Sequence, residues 1–165
     1  MHKGAKRLLL FFIKLLVTAL VIVLALRFVA GVYVIHSNDM YPVLCDGDLL
    51  ITYKLTRYYS GEVIAYKTDD GVTRFGRIIA VAGDEVDIGE EGTVYINGLV
   101  ASERVYYETR PEELSEIKFP YRVEEGSVFI LNDMRENTTD SRMFGSIDKR
   151  ECLGRIVFLS RYRTF

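Results

Sequence analysis

The sequence contains no tryptophan, two cysteines, two histidines and three prolines in 165 residues. Each shortage excludes some chemistry. Cys45 and Cys152 fit neither a metal-ligand spacing nor a redox pair. They read as two free thiols or, outside the cytoplasm, as a disulfide that spacing alone does not reveal. With only His2 and His36 available, no metal centre is expected, and no cofactor motif is present. Acid is missing from residues 1–30, which carry Lys3, Lys6, Arg7, Lys14 and Arg27. The rest of the chain therefore holds 16 Lys and Arg against all 23 Asp and Glu, a net of −7 (16 − 23). A body that acidic gives no electrostatic support for nucleic-acid binding. No internal repeat, low-complexity tract or long linker interrupts it, so one domain of about 130 residues is expected.

What the chain does have is a long apolar run. Residues 8–30 are apolar except at Lys14, Thr18 and Arg27, and about 20 such residues span a bilayer as a helix. Lys14 and Arg27 lie near opposite ends, where long side chains reach the headgroups. The basic cluster at residues 3–7 places the N-terminus on the cytoplasmic side. The expectation is a cytoplasmic N-terminus (1–7), a transmembrane signal-anchor (8–30) and an extracytoplasmic domain (31–165) on a single-pass membrane protein. A cleaved signal is the alternative, but no small-x-small site follows the run and Arg27-Phe28 stands where one would lie.

Beyond residue 30 the pattern turns to short strands. Stretches 31–35, 48–53, 61–66, 72–81, 128–131 and 155–159 are apolar and β-branched, with turn residues between them. Asp69-Asp70-Gly71 reads as a turn. Residues 93–96 and 99–100 flank Asn97-Gly98, the pair a type I′ hairpin favours. Residues 103–121 are acidic and mixed, an expected surface excursion, and no amphipathic helix stands out. The fold class is mostly β, a folded-over set of antiparallel sheets behind one N-terminal helix.

Four stretches, in order, carry a resemblance. The loop His36-Ser37-Asn38-Asp39-Met40-Tyr41-Pro42-Val43-Leu44-Cys45-Asp46-Gly47-Asp48 resembles the nucleophile loop of type I signal peptidases, roughly Ser-Gly-Ser-Met-x-Pro-Thr-Leu-x-x-Gly-Asp. Gly61-Glu62-Val63-Ile64-Ala65-Tyr66 is similar to that family's Gly-Asp-Ile-Val-Val-Phe strand. Gly76-Arg77-Ile78-Ile79-Ala80-Val81-Ala82-Gly83-Asp84 is similar to its Lys-Arg-Val-Ile-Gly-x-Pro-Gly-Asp strand. The run 132–142 resembles its Gly-Asp-Asn-Arg-x-x-Ser-x-Asp-Ser-Arg loop. The resemblance implies a serine hydroxyl as nucleophile and a desolvated lysine amine as base. Asp39 stands at the first position and Gly76 at the second.

A missing nucleophile leaves roughly 10³–10⁴ over the uncatalysed rate. An ionised carboxylate about 4 Å from a developing oxyanion would oppose it by about 4 kcal/mol at an effective dielectric near 20. An aspartic mechanism would need a second carboxylate, Asp133 or Asp140, but the resemblance assigns these to ion pairs with Arg77 and Arg142. A Cys45–His36 dyad is the remaining composition-based option, with Cys45 expected to face the core. The resemblance gives Ser37 an oxyanion role, Thr138 the part of steadying the lysine, and Ser141 a place in the same polar loop. The competing assignment has these hydroxyls satisfying backbone groups or Asp39, which would turn into a void left by Gly76.

The resemblance also implies a groove in which an extended peptide adds to strands 33–37 and 74–76. Its residues would be Tyr33, Ile35, Ser37, Met40, Leu44, Arg74 and Phe75. Asp and Gly at the two dyad positions are similar to the SipA-type signal-peptidase-like proteins found with pilus genes of Gram-positive bacteria. That implies pilin or another secreted polypeptide as partner, sortase alongside it, and lipid around residues 8–30. An active type I signal peptidase with an unrecognised constellation is the alternative.

Overall fold

The computed structural model describes residues 3–102, 107–113, 115 and 117–161. Helix α1 (Lys3–Phe28) leads. Within its stretch Gly4–Phe28, an 18-residue window reaches a mean hydropathy of 2.9, and none of that window is buried against the rest of the described chain. A helix apolar on every side and unpacked is suited to lipid, and it is long and apolar enough to cross a membrane. The helix ends at Phe28 and strand β1 begins at Ala30, short of the boundary that hydropathy suggests. Val29 and Ala30 remain apolar while the backbone has already left the helix, so composition alone overruns the end. Lys54 closes this end, its ammonium donating to the carbonyls of Leu26 (3.0 Å) and Arg27 (3.2 Å). A cation on the last free carbonyls suits the negative end of the helix dipole.

The strands are β1 (Ala30–Val34), β2 (Leu49–Tyr53), β3 (Val63–Lys67), β4 (Thr73–Val81), β5 (Glu85–Ile88), β6 (Val94–Ile96), β7 (Leu99–Val100), β8 (Tyr121–Arg122), β9 (Ser127–Leu131), β10 (Ile147–Asp148) and β11 (Cys152–Ser160). A one-turn helix α2 (Ser141–Phe144) follows β9. Seven strands form one sheet, in the order β1-β2-β11-β3-β4-β9-β10, and four form another, β7-β6-β5-β8. All pairings are antiparallel. Strands β5, β8 and β10 and helix α2 extend the set expected from the sequence. Of the acidic excursion, residues 103–106, 114 and 116 lie outside the described residues.

The larger sheet curls. Strands β1 and β4 are separated by β2, β11 and β3, which at about 4.8 Å per strand would hold them nearly 20 Å apart in a flat sheet. Yet the rings of Tyr33 on β1 and Phe75 on β4 meet edge to face with centroids 5.9 Å apart. Gly31 makes this possible, since a Cβ there would stand 2.6 Å from the Tyr33 ring. The curl encloses Ile35, Met40, Leu44, Leu50, Ala65 and Phe75 as one apolar cluster. The opposite face of β3, β4 and β9 buries Ile64, Tyr66, Ile78, Val128 and Ile130. A third cluster, around Phe129 and Leu131, joins the two sheets.

Asn97 (φ 52°) and Gly98 (φ 78°) turn the β6–β7 hairpin with both central residues at positive φ, as a type I′ turn requires.

Candidate functional site

Asp39 sits on the loop between β1 and β2, held against the chain just beyond β9. The Met134 N–H donates to the Asp39 carbonyl (2.9 Å), and the Asn137 amide donates to its carboxylate (2.6 Å). Met40, next in sequence, is 2 % exposed and its sulfur accepts from the Asp133 N–H (3.4 Å). The loop therefore reaches the end of β9 through its backbone, a buried thioether and one charge-assisted bond.

Gly76 lies at the same end of the sheet, opposite Ile64 on β3. The space beside it is filled, contrary to the void expected there. A Cβ at this position would stand 2.3 Å from Cγ2 of Ile130, 3.3 Å from Cε1 of Tyr66 and 3.6 Å from the Leu131 carbonyl. Asp39 accordingly turns toward Asn137. Tyr66 is fully buried and its hydroxyl has no hydrogen-bond partner among the described residues. Burial foremost, then the Asp140 carboxylate, pushes its phenol well above the ordinary range; Arg74 opposes this and Asp39 adds to it.

The polar loop after β9 is a frame built on two ion pairs. Arg77 reaches Asp133 through two bonds of 2.8 and 2.6 Å. Arg142 and Asp140 are both fully buried and pair through bonds of 2.9 and 2.7 Å. Arg142 also donates to the carbonyls of Arg135, Asn137 and Arg110, while Asp140 accepts from the Asn132 N–H. A buried pair with its remaining donors and acceptors satisfied is the form in which such a pair is tolerated. With both carboxylates committed to arginines, neither is paired with Asp39 as an aspartic mechanism would need.

Thr138 donates to the Glu112 carboxylate, a partner outside the motifs, and not to Asp39. Ser141 accepts from the buried Ile130 N–H (2.9 Å), which is the backbone-satisfying alternative. Ser37 is half-buried on the loop two residues before Asp39. His36 is exposed, 4.0 Å from Asp46, and the half-buried Cys45 donates its backbone N–H to Asp48. Cys45 is thus not fully turned to the core, and neither it nor Cys152 is in a disulfide.

Burial corrects part of the peptide-contact set. Ile35, Met40 and Leu44 are each 2 % exposed, so they are core and not an accessible lining. Phe75 is nearly buried as well. Tyr33, Ser37 and Arg74 stay partly accessible, although Arg74 is engaged with Asp70 (3.1 Å). What the backbone offers is two open edges. Among the described residues, strand β1 pairs only with β2. Residues 73–76 of β4 pair with β3, while the pairing with β9 starts at Arg77. Tyr33 and Phe75 bridge these two edges. A separate cleft of about 750 Å³, lined by Gly61, Arg77, Ile79, Leu99 and Val100, includes neither Asp39 nor Gly76.

Sequence reasoning did not single out Tyr66, Ile130, Asn137 or Glu112. Asn137 lies inside a recognised stretch and was within reach. Ile130 and Tyr66 meet Gly76 only through strand register, which no local pattern encodes.

A family model described as "Signal peptidase, peptidase S26" matches residues 9–160. The chain is 33% identical over 160 residues to a signal peptidase I of Bacillus licheniformis, covering 89% of this chain and 86% of that one. It is 27% identical over 171 residues to signal peptidase IB of Staphylococcus aureus, covering 93% and 89%. A crystal structure of a signal peptidase I from Enterococcus faecalis superposes with a TM-score of 0.52 at 26% identity, covering 62% of this chain and 98% of that one.

Proposed function

Since the chain belongs to the signal peptidase family, peptidase S26, we propose that it keeps that family's peptide groove without the cutting chemistry. It is a membrane-anchored, extracytoplasmic accessory that holds a secreted polypeptide, a pilin, and promotes its sortase-dependent assembly, in the manner of the SipA-type proteins. Helix α1 anchors it with the N-terminus in the cytoplasm. The observation that carries the reading is the pair Asp39 and Gly76. One position holds a carboxylate bonded to Asn137, and the other holds no side chain and lies against Ile130. A carboxylate cannot serve as the attacking alcohol, and no amine is present to take a proton.

The open edges of β1 and of residues 73–76 support the binding half of the proposal, because main-chain addition to a free strand needs neither dyad residue. The second reading, an active signal peptidase, draws on relatives that bear that name. One assay separates the two. Full-length protein in detergent micelles is titrated into a fluorescent peptide carrying an Ala-x-Ala signal site, with anisotropy and fragment release followed together. Saturable binding without fragments is expected. Fragment release that vanishes in Asp39→Ala would establish the enzyme reading instead.

A further inference from the structure

The geometry around β4 points to Ile130 as a third determinant of what this site can do. We propose that Ile130, backed by Tyr66, occupies the space a base at position 76 would need. Restoring the two dyad residues alone then fails to restore a working base. The inference builds on the groove reading above and concerns the same site.

The nearest atom to a Cβ on residue 76 is Cγ2 of Ile130, at 2.3 Å, a separation real Cβ atoms essentially never show. That methyl is carried on a branched Cβ, so it cannot swing away at the end of a flexible chain. Ile130 is fully buried in the cluster on this face, together with Val128 and Tyr66, and its N–H is tied to Ser141. The second neighbour, the Tyr66 ring at 3.3 Å, is fully buried too. Even a methyl group on residue 76 must therefore displace packed core. A four-carbon stem ending in an amine must displace more.

Stability and activity each test this in full-length protein. In a strand, Gly→Ala ordinarily stabilises by restricting the unfolded chain. Here Gly76→Ala is expected to lower the urea midpoint, and the drop should disappear when Gly76→Ala is made in an Ile130→Ala background, where Cγ2 is gone. A midpoint unchanged or raised by Gly76→Ala alone would overturn the proposal whatever the activity results. In the peptide-release assay, Asp39→Ser/Gly76→Lys should match the wild type. Adding Ile130→Ala should raise release at least tenfold, with a pH profile that rises as the introduced amine loses its proton. Equal release with and without Ile130→Ala would also overturn it. The groove reading fails on a different result, cleavage by the wild type, so the two are separable.

Discussion

Arg142 is the side chain on which the polar loop depends most. It is fully buried, pairs with an equally buried Asp140, and donates to three carbonyls that hold the loop closed. Arg142→Ala leaves a carboxylate in the core without its cation, a change that costs about 3–5 kcal/mol. Chemical unfolding is expected to show a loss of that size. Arg142→Lys should recover only part of it, because an ammonium cannot reproduce the fork. A loss below 1 kcal/mol for Arg142→Ala would remove this pair from the frame that positions Asn137 and, through it, Asp39. The half-buried Cys152 thiol makes a second residue-level prediction. Burial, foremost among its causes, pushes Cys152 up to about 12, from 9.0. Its raised value means the folded state keeps a proton that the unfolded chain gives up. The resulting stability is present in full below pH 9 and declines as pH rises toward 12. Cys152→Ala should flatten that alkaline decline, as measured by urea midpoints between pH 8 and 11. At pH 8, iodoacetamide should modify Cys152 more slowly in the native protein than after denaturation; equally fast modification of the two would contradict its partial burial.

At the scale of elements, the open edge of β1 carries the binding proposal. Ile35 turns both its backbone groups inward, donating to the Asp48 carbonyl (2.9 Å) and accepting from the Gly47 N–H (2.9 Å). By the alternation of an antiparallel ladder, the backbone groups of Val34 and His36 face the free side. His36→Pro removes one outward donor and leaves the inward bonds in place. One lost bond of about 0.5–1.5 kcal/mol predicts a roughly twofold to thirteenfold weaker peptide affinity, with the unfolding midpoint little changed. Unchanged affinity would mean that the edge is not the docking strand. Phe75, though named by the resemblance, is a poorer probe, because it packs on Tyr33 and a charge there would damage the core first. Legibility differed between elements for physical reasons. The β6–β7 hairpin was readable because Asn97-Gly98 carries its own turn chemistry, and β4 because Thr73, Phe75, Ile78, Ile79 and Val81 all favour strands. The two-residue strands β8 and β10 are defined only by their partners. Glu85–Ile88 alternates polar and apolar but is too short to stand out. The same non-locality hid the filled space at Gly76, since Ile130 reaches it across the sheet and not along the chain.

For the whole molecule, an apolar helix and a curled sheet are joined with almost no slack. A single residue, Val29, separates α1 from β1, and Lys54 ties the next strand's end back to the helix carbonyls. The short connection keeps the edge of β1 close to the end of the apolar helix, which suits the proposed presentation of a tethered polypeptide near a membrane. On the proposed function, Asp39 and Gly76 decide whether a bound polypeptide leaves intact. Mass spectrometry of a signal-site peptide after long incubation with highly purified full-length protein, alongside Asp39→Ala, reads the outcome directly. Intact peptide from both proteins is expected. Fragments that follow the wild-type protein through each purification step, and vanish with Asp39→Ala, would contradict a groove that holds without cutting.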